Sequence, residues 1–156
     1  EVDLKKSIDA SVLDKKLSKL KWITHHYPNN PKLEIQNLKE SIEIIKSDKS
    51  RKMIVTDYQF ISVILGINDN SAARIWWRHH IYPSGPGKEY FENWKNFLVK
   101  KIRKNQIKTI YTVHPLEGEK NIFKDLITSE CYSEIEISKT LTKQVIKNCD
   151  ELVIKN

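Results

Sequence analysis

The sequence predicts an α/β fold, a three-layer αβα sandwich of Rossmann-like type with a mostly parallel sheet of four or five strands. Two observations support this prediction. Residues 53–55 and 107–113 are short apolar runs rich in β-forming residues, and segments with helical periodicity flank each run. Such runs are typical of strands buried on both faces. Strands that alternate with helices favour parallel pairing through right-handed crossovers.

The first third of the chain predicts a helix, a strand and a second helix. Apolar residues recur at helical spacing through residues 3–19, which indicates an amphipathic helix. Residues 20–27 follow as a strand. Asn30 suits an N-cap and Pro31 the first position of a helix. The buried stripe of that helix is predicted to be Ile35, Leu38, Ile42 and Ile45.

The middle third begins with the run 53–55, which is interpreted as a central strand. Residues 60–65 predict a short buried helix that Gly66 stops, and residues 72–78 predict one or two helical turns. Proline and glycine make residues 79–87 an irregular loop. Residues 88–104 show the strongest helical pattern in the chain. Its predicted buried face consists of Tyr90, Phe91, Trp94, Phe97, Leu98 and Ile102.

The last third predicts that the alternation of strands and helices continues. After the strand at residues 107–113, residues 119–127 indicate a short helix and residues 131–137 a strand or an extended link. A final strand is expected at residues 152–154. Between residues 137 and 152, the spacing of four apolar residues predicts a last helix. These residues are Leu141, Val145, Ile146 and Cys149.

Length and composition are those of one soluble domain, residues 1–156. A chain of 156 residues can bury its own core, and no apolar run approaches the roughly 20 residues that span a bilayer. Because the chain starts at Glu1 and not at Met, we expect it to be a fragment or a processed form of a longer protein.

The positive charge is concentrated in the middle of the chain. Between residues 51 and 104, ten Lys and Arg face four Asp and Glu, whereas the formal net charge of the whole chain is +7. A basic face can bind nucleic acid, an anionic membrane surface or a phosphorylated ligand. A lysine-rich surface that only keeps the protein soluble is an equally weighted alternative.

No sequence motif for catalysis or for a cofactor is present. The chain lacks the glycine-rich nucleotide fingerprints and the Gly-x-Ser-x-Gly nucleophile elbow. The pairs His25-His26 and His79-His80, with His114 and Asp57, could contribute metal ligands only if the fold brought them together. Surface or hydrogen-bonded imidazoles at strand ends, without a metal, are the favoured interpretation, so the sequence predicts neither a cofactor nor a metal.

Two segments are the candidate ligand-binding surface. Asp57, Tyr58 and Gln59 follow the run 53–55, and ligands collect at the carboxyl ends of strands in α/β sheets. The second segment is a loop whose aromatic and hydrogen-bonding side chains suit sugar rings or bases, and whose arginines suit phosphate. Its candidate residues are Arg74, Trp76, Trp77, Arg78, His79, His80 and Tyr82. The alternative is that Trp76 or Trp77 anchors this loop in the core.

Cys131 and Cys149 are the two cysteines of the chain, and their spacing is not that of a zinc site. Two buried thiols and a disulfide between them remain alternatives. A disulfide is favoured if the protein is exported, because disulfides persist in oxidising compartments.

Four segments carry a resemblance to a known family: Leu20-Lys-Trp-Ile-Thr24, Glu34-Ile35, Ile54-Val-Thr-Asp-Tyr-Gln-Phe-Ile61 and Lys108-Thr-Ile-Tyr-Thr112. Together they resemble the soluble C-terminal segment of multi-spanning bacterial membrane proteins similar to lipid-linked-sugar-dependent glycosyltransferases. The resemblance covers nearly the whole chain, and its motifs are structural. It implies a Rossmann-like domain on the extracytoplasmic, periplasmic face of a bacterial inner membrane. The family's catalytic acids lie in loops of the membrane portion, so no catalytic residue is carried over.

These observations lead to one principal functional hypothesis and two alternatives. The chain is expected to be an accessory, non-catalytic domain of a membrane glycosyltransferase. In that role it would contact its own membrane-spanning portion and help to position a glycan or lipid-phosphate substrate. One alternative is a nucleic-acid-binding module that uses the basic middle third. Nucleic acid is the less favoured partner. The other is a small-molecule enzyme with its site near Asp57.

Overall fold

The computed structural model of the protein describes residues 2–73, 76, 83, 85–115 and 123–147. By its internal contacts the chain divides into two compact units. The first comprises Glu1–Asp48 and Phe60–Gly66, and the second comprises Lys49–Gln59 and Ile67–Asn156. That residues 1–156 form a single domain taken from a longer protein stays a prediction.

The described residues contain three α-helices and six strands. The helices are Pro31–Ser47 (α1), Ile61–Leu65 (α2) and Phe91–Lys104 (α3). The strands are Ile8–Asp9 (β1), Lys21–Trp22 (β2), Lys52–Val55 (β3), Thr109–Val113 (β4), Tyr132–Ser138 (β5) and Leu141–Ile146 (β6). Within these residues, no helix combines the length and the apolar character that crossing a membrane requires.

The predicted amphipathic helix at residues 3–19 is wrong. Three short 3-10 helices and β1 take its place, at Leu4–Lys6, Ala10–Val12 and Lys15–Leu17. An aspartate precedes each 3-10 helix, and its carboxylate accepts the backbone N–H two residues later: Asp3 from Lys5, Asp9 from Ser11, and Asp14 from Lys16. These local bonds compete with the α-helical ladder, so apolar spacing alone does not produce a helix here.

The other elements of the first unit follow the sequence prediction more closely. The predicted strand at residues 20–27 is reduced to β2, which pairs antiparallel with β1 and aligns Ile8 with Trp22. Asn30 caps α1, because its side-chain oxygen accepts the Leu33 N–H at 3.1 Å, and Pro31 is the first helical residue. All four residues of the predicted stripe, Ile35, Leu38, Ile42 and Ile45, are buried.

Helix α2 is short, as predicted, and Gly66 ends it. The prediction that it is buried is wrong, because only Ile61 is buried and Val63 is exposed. Gly66 has a left-handed φ of +65°, and its N–H donates to the Ser62 carbonyl oxygen. Glycine adopts this conformation without the steric cost that a Cβ brings.

We expect Gly66→Ala to lower the free energy of unfolding by about 1 kcal/mol. A Cβ on Gly66 would have nothing within 4 Å, so the loss would come from backbone strain alone. Gly85→Ala is the matched control: Gly85 lacks a positive φ, and its added Cβ would meet Asp125 Oδ2 at an ordinary 3.9 Å. Urea denaturation should show a lower midpoint for Gly66→Ala only. Equal midpoints would remove strain as the reason for this glycine.

The second unit is built on a four-stranded mixed sheet in the order β3-β4-β6-β5. Strands β3 and β4 pair in parallel, whereas β4 with β6 and β6 with β5 pair antiparallel. The three-layer, mostly parallel Rossmann-like sandwich predicted from the sequence is therefore wrong. The described residues form an α+β structure with this sheet and the two-stranded β1-β2 sheet.

The topology differs because the predicted last helix, from Leu141 to Cys149, is a strand over its described part. Residues 141–146 form β6, which follows β5 through a short turn and pairs with it as a hairpin. The hairpin makes β6 antiparallel to β5, and β6 also pairs antiparallel with β4. The β-branched residues Thr142, Val145 and Ile146 suit a strand better than a helix. Cys149 lies outside the described residues.

Strand β3 lies at one end of the sheet order, so its interpretation as a central strand is wrong. Its parallel pairing with β4 is confirmed, and Met53, Ile54 and Val55 are buried. The chain after α2 lies along its open side. There the Ile54 N–H donates to the Asp69 carbonyl oxygen at 2.8 Å, and the Asn70 side chain donates to the Lys52 carbonyl oxygen at 2.9 Å. A covered edge offers fewer free backbone groups to another chain.

Helix α3 contributes to the core of the second unit. Its buried residues are Phe91, Leu98, Val99 and Ile102, and they cluster with Met53, Val55, Ile110 and Trp76 among others. The predicted face is therefore correct for Phe91, Leu98 and Ile102, with Trp94 partly buried against the cluster. It is wrong for Tyr90 and Phe97, which are exposed.

The remaining element predictions have mixed outcomes. The strand or link at residues 131–137 is confirmed as β5. Of the helix at residues 119–127, the described part is a turn in which Phe123, Leu126 and Ile127 are buried. Ala72, Ala73 and Trp76 are not helical, while the rest of residues 72–78 and the strand at residues 152–154 lie outside the described part of the chain.

Candidate functional site

The parallel pair β3-β4 brings two strand ends together at one edge of the second unit's sheet. Their register aligns Val55 with Thr112, so Thr56 and Asp57 leave β3 where His114 leaves β4. Strand β6 begins at the same edge, because Val113 is aligned with Leu141. We define this carboxyl edge as Thr56 to Gln59, His114 and the start of β6. Its residues Asp57, Tyr58 and Gln59 are the ones that the sequence predicted to bind a ligand.

Asp57 holds the chain at Trp76. Its Oδ1 accepts the Trp76 backbone N–H at 2.9 Å, and Asp57 is half-buried. Beside it, the Tyr58 N–H donates to the Thr56 hydroxyl at 3.0 Å, and Tyr58 is itself buried. Gln59 is exposed. Asp57 therefore fixes the position of Trp76 in the loop that follows.

Trp76 is fully buried in the core of the second unit. Its ring lies 6.0 Å from the rings of Trp94 and Phe123, centroid to centroid, and its Nε1–H donates to the Ser71 hydroxyl at 2.8 Å. The Ser71 carbonyl oxygen in turn accepts a hydrogen bond from the Lys101 ammonium group. Trp76 therefore anchors this loop, which was one of the two roles that the sequence left open for it.

The other candidate residues of the loop, Arg74, Trp77, Arg78, His79, His80 and Tyr82, lie outside the described residues. Their role in ligand binding stays a prediction.

A second group of polar side chains surrounds His114. The His114 N–H donates to the Thr140 carbonyl oxygen at 2.9 Å, and its Nε2 lies 3.3 Å from the Thr142 hydroxyl. Ser138 and Thr140 place their hydroxyl oxygens 3.2 Å apart in the turn before β6. Thr140 and Thr142 are buried, so the edge presents the half-buried His114 imidazole and the hydroxyl of the exposed Ser138. These groups can donate to and accept from sugar hydroxyls.

The polar group continues into the sheet through residues that the sequence analysis did not select. Thr112, Thr142 and Gln144 are buried on the same face of the sheet as Met53 and Val55. The Thr112 hydroxyl donates to Gln144 Oε1 at 3.5 Å, and Gln144 Nε2 donates to Glu134 Oε2 at 3.1 Å. The alternation of Leu141, Lys143 and Val145 with Thr142 and Gln144 was the available signal for this strand.

The His25-His26 pair is not at a strand end. Both residues are exposed in a bend of the first unit, with their ring centroids 3.8 Å apart. Within the described residues, no three His, Cys, Asp or Glu side chains form a group that could hold a metal ion.

The pKa values of Asp9 and Tyr90 are displaced, and neither residue belongs to the carboxyl edge. Hydrogen bonds from the Ser11 side chain and backbone lower the pKa of the exposed Asp9 carboxyl. A hydrogen bond with the Glu89 side chain raises the pKa of the exposed Tyr90 hydroxyl. Both shifts have local causes and mark no catalytic pair.

Cys131 is fully buried and disulfide-bonded. Cys149 is the other cysteine of the chain, and it lies beyond the described residues. The pairing of Cys131 with Cys149 stays a prediction that this state of Cys131 supports.

Comparison with known proteins returned no relatives: no family model, no curated protein and no solved structure matches the chain.

Proposed function

We propose that this chain is an accessory, non-catalytic domain at the extracytoplasmic face of a bacterial membrane glycosyltransferase. There it helps to bind or position a glycan or lipid-phosphate substrate beside its own membrane-spanning portion. The observation that supports this most directly is the disulfide-bonded state of Cys131. Structural disulfides belong mainly to secreted, periplasmic and cell-surface proteins, because cytosolic thiols are kept reduced.

The carboxyl edge supports the substrate part of the proposal. Carbohydrate sites use a few fixed hydrogen-bonding groups beside aromatic rings. The edge supplies the half-buried Asp57 carboxylate, the half-buried His114 imidazole and the hydroxyl of the exposed Ser138, held by the bonds described above. In the sequence, Arg74 and Arg78 flank the Trp76-Trp77 pair and supply the guanidinium groups that a phosphate prefers.

The non-catalytic part of the proposal comes from the sequence resemblance. In the family that the chain resembles, the catalytic acids lie in loops of the membrane portion. The domain then acts by holding substrate in place, which aids a reaction through proximity without supplying a reacting group.

The proposal predicts that both cysteines are oxidised in cells that make the full-length protein. Intact cells are treated with N-ethylmaleimide to block free thiols. The protein is then reduced and labelled with a maleimide polymer that shifts its gel mobility. Since Cys131 and Cys149 would be protected in a disulfide, both should be labelled only after reduction. The double variant Cys131→Ser/Cys149→Ser measures the labelling of any other thiols in the full-length protein, and this background is subtracted.

The single variant Cys131→Ser is the internal control, because it should leave Cys149 open to N-ethylmaleimide before reduction. If both cysteines of the unmodified protein are blocked before reduction, the domain resides in a reducing compartment and the proposed location is wrong.

A further inference from the structure

The outward face of α3 carries exposed aromatic side chains. Tyr90 is 66% exposed and Phe97 is 47% exposed. Phe97 lies within α3, and Tyr90 directly precedes the helix as its N-cap residue, with a left-handed backbone. Trp94 is half-buried between them, and its ring lies 5.6 Å from the Phe97 ring, centroid to centroid. Exposed aromatic clusters on a helix mark interaction surfaces more often than isolated apolar residues do.

The same face becomes basic toward the carboxyl end of α3. Lys104 is a further seven residues from Phe97, and Lys100 lies one turn before it; both are exposed. Glu92, the acidic residue of the helix, lies about 140° around the axis from Phe97. Between residues 88 and 104, six Lys and Arg face two Glu. We call Tyr90, Trp94, Phe97, Lys100 and Lys104 the aromatic-basic stripe.

We propose that the aromatic-basic stripe binds the surface of an anionic lipid bilayer. Tyr, Trp and Phe rings favour the boundary between lipid headgroups and hydrocarbon, while lysine amines favour the negatively charged headgroups above it. The positive charge of the stripe is complementary to such a surface, and each lysine near it strengthens the attraction.

The order of residues along α3 favours a bilayer over a nucleic acid. Phe97 and Lys104 are separated by about 10 Å along the helix axis, which is comparable to the depth of a headgroup layer. If α3 tilts with its amino-terminal end toward the bilayer, the rings enter the interface and the lysines remain at headgroup level. Single-stranded nucleic acids instead require aromatic and basic side chains interleaved along one groove.

The stripe is separate from the carboxyl edge and does not depend on the proposed function. None of its residues belongs to the set Asp57, Tyr58 and Gln59 or to the loop from Arg74 to Tyr82. Bilayer binding through α3 would hold the domain at a membrane whatever substrate the carboxyl edge accepts.

Flotation of the 156-residue chain with lipid vesicles tests this proposal. We expect the chain to float with vesicles of mixed phosphatidylglycerol and phosphatidylcholine. With vesicles of phosphatidylcholine alone it should remain unbound in the bottom fraction. The bound fraction should fall as salt rises, because salt screens exposed charges. Lys100→Gln with Lys104→Gln should weaken binding to the anionic vesicles by more than about tenfold. Phe97→Ser should weaken it by about fivefold or more.

Tyr90→Gly separates binding from folding. Tyr90 has a φ of +62°, which glycine adopts readily, so this change removes the ring without straining the backbone. It should lower vesicle binding while the circular dichroism spectrum and the midpoint of urea unfolding are maintained.

Matched changes elsewhere serve as controls. Lys32→Gln with Lys39→Gln removes two exposed lysines from α1, and Ile135→Ser removes an exposed apolar side chain from β5. Each should change binding by less than about twofold if the stripe is the contact. The proposal is overturned if the control variants lose as much binding as the stripe variants. Equal binding to phosphatidylcholine vesicles, or binding to an oligonucleotide but to neither vesicle, would overturn it as well.

Discussion

Trp76→Ala is expected to lower the free energy of unfolding by about 4 kcal/mol, the largest effect of any single substitution considered. Trp76 is fully buried, and its ring packs on those of Trp94 and Phe123. Truncation would leave a large cavity in the core of the second unit. It would also remove the hydrogen bond from Nε1 to the Ser71 hydroxyl.

Urea denaturation followed by circular dichroism measures this loss. Trp76→Phe keeps an aromatic ring and gives up the Nε1–H, so a smaller loss of about 1–2 kcal/mol is expected. Phe97→Ala removes a half-exposed ring from the same aromatic cluster and should cost less than about 1 kcal/mol. Similar losses for Trp76→Ala and Phe97→Ala would mean that Trp76 is not the anchor of this loop.

Glu34→Ala is expected to cost about 3 kcal/mol of unfolding free energy. Glu34 lies in the first turn of α1 and is only 1% exposed. Its carboxylate accepts the Trp22 Nε1–H at 2.7 Å and the Thr24 hydroxyl at 2.8 Å. Alanine would deprive both donors of this acceptor, and hydrogen bonds to a charged group contribute more than neutral ones. The helix dipole also favours negative charge at this end.

Two further variants identify the hydrogen bonds as the cause. Glu34→Gln keeps one acceptor oxygen, so it should recover about half of the loss. Glu40→Ala removes an exposed carboxylate from the same helix, where it accepts only the Gln36 side chain at 3.2 Å, and should cost less than about 0.5 kcal/mol. If Glu34→Ala is no more destabilising than Glu40→Ala, this buried carboxylate does not stabilise the first unit.

Elements specified by local chemistry could be predicted from the sequence. The Asn30-Pro31 start of α1, its stripe from Ile35 to Ile45, and the end of α2 at Gly66 all depend on residues a few positions apart. The aspartates before the 3-10 helices are local as well. The apolar spacing of residues 3–19 favours a helix, but the hydrogen bonds that these carboxylates accept from the backbone decide the local structure.

The sheet topology could not be predicted in the same way. Leu141, Val145 and Ile146 fit a helical spacing, yet Leu141, Lys143 and Val145 fit strand alternation equally well. The hairpin partner that decides between them is β5, and β6 also pairs with β4, which lies about thirty residues earlier in the sequence. Non-local pairing of this kind decides the state of a segment whose own pattern is ambiguous.

The candidate site shows the same division. Asp57 was selected because it follows an apolar run, and the parallel pairing of β3 with β4 does place it at the carboxyl edge. The contacts of His114 with Thr140 and Thr142 arise only because β6 is a strand. The exposure of Phe97 depends on which side of α3 packs on the sheet. The six aromatic and aliphatic residues predicted to be buried on this helix span too wide an arc to identify that side.

Binding of the chain to vesicles that contain undecaprenyl phosphate tests the proposed function most directly. The comparison vesicles carry the same surface charge from phosphatidylglycerol, so that attraction of α3 to bulk charge is equal in both. The proposal predicts tighter binding to the undecaprenyl phosphate vesicles, and loss of that preference in the double variant Arg74→Ala/Arg78→Ala. Equal binding to the two kinds of vesicle would contradict a role in positioning a lipid-phosphate substrate.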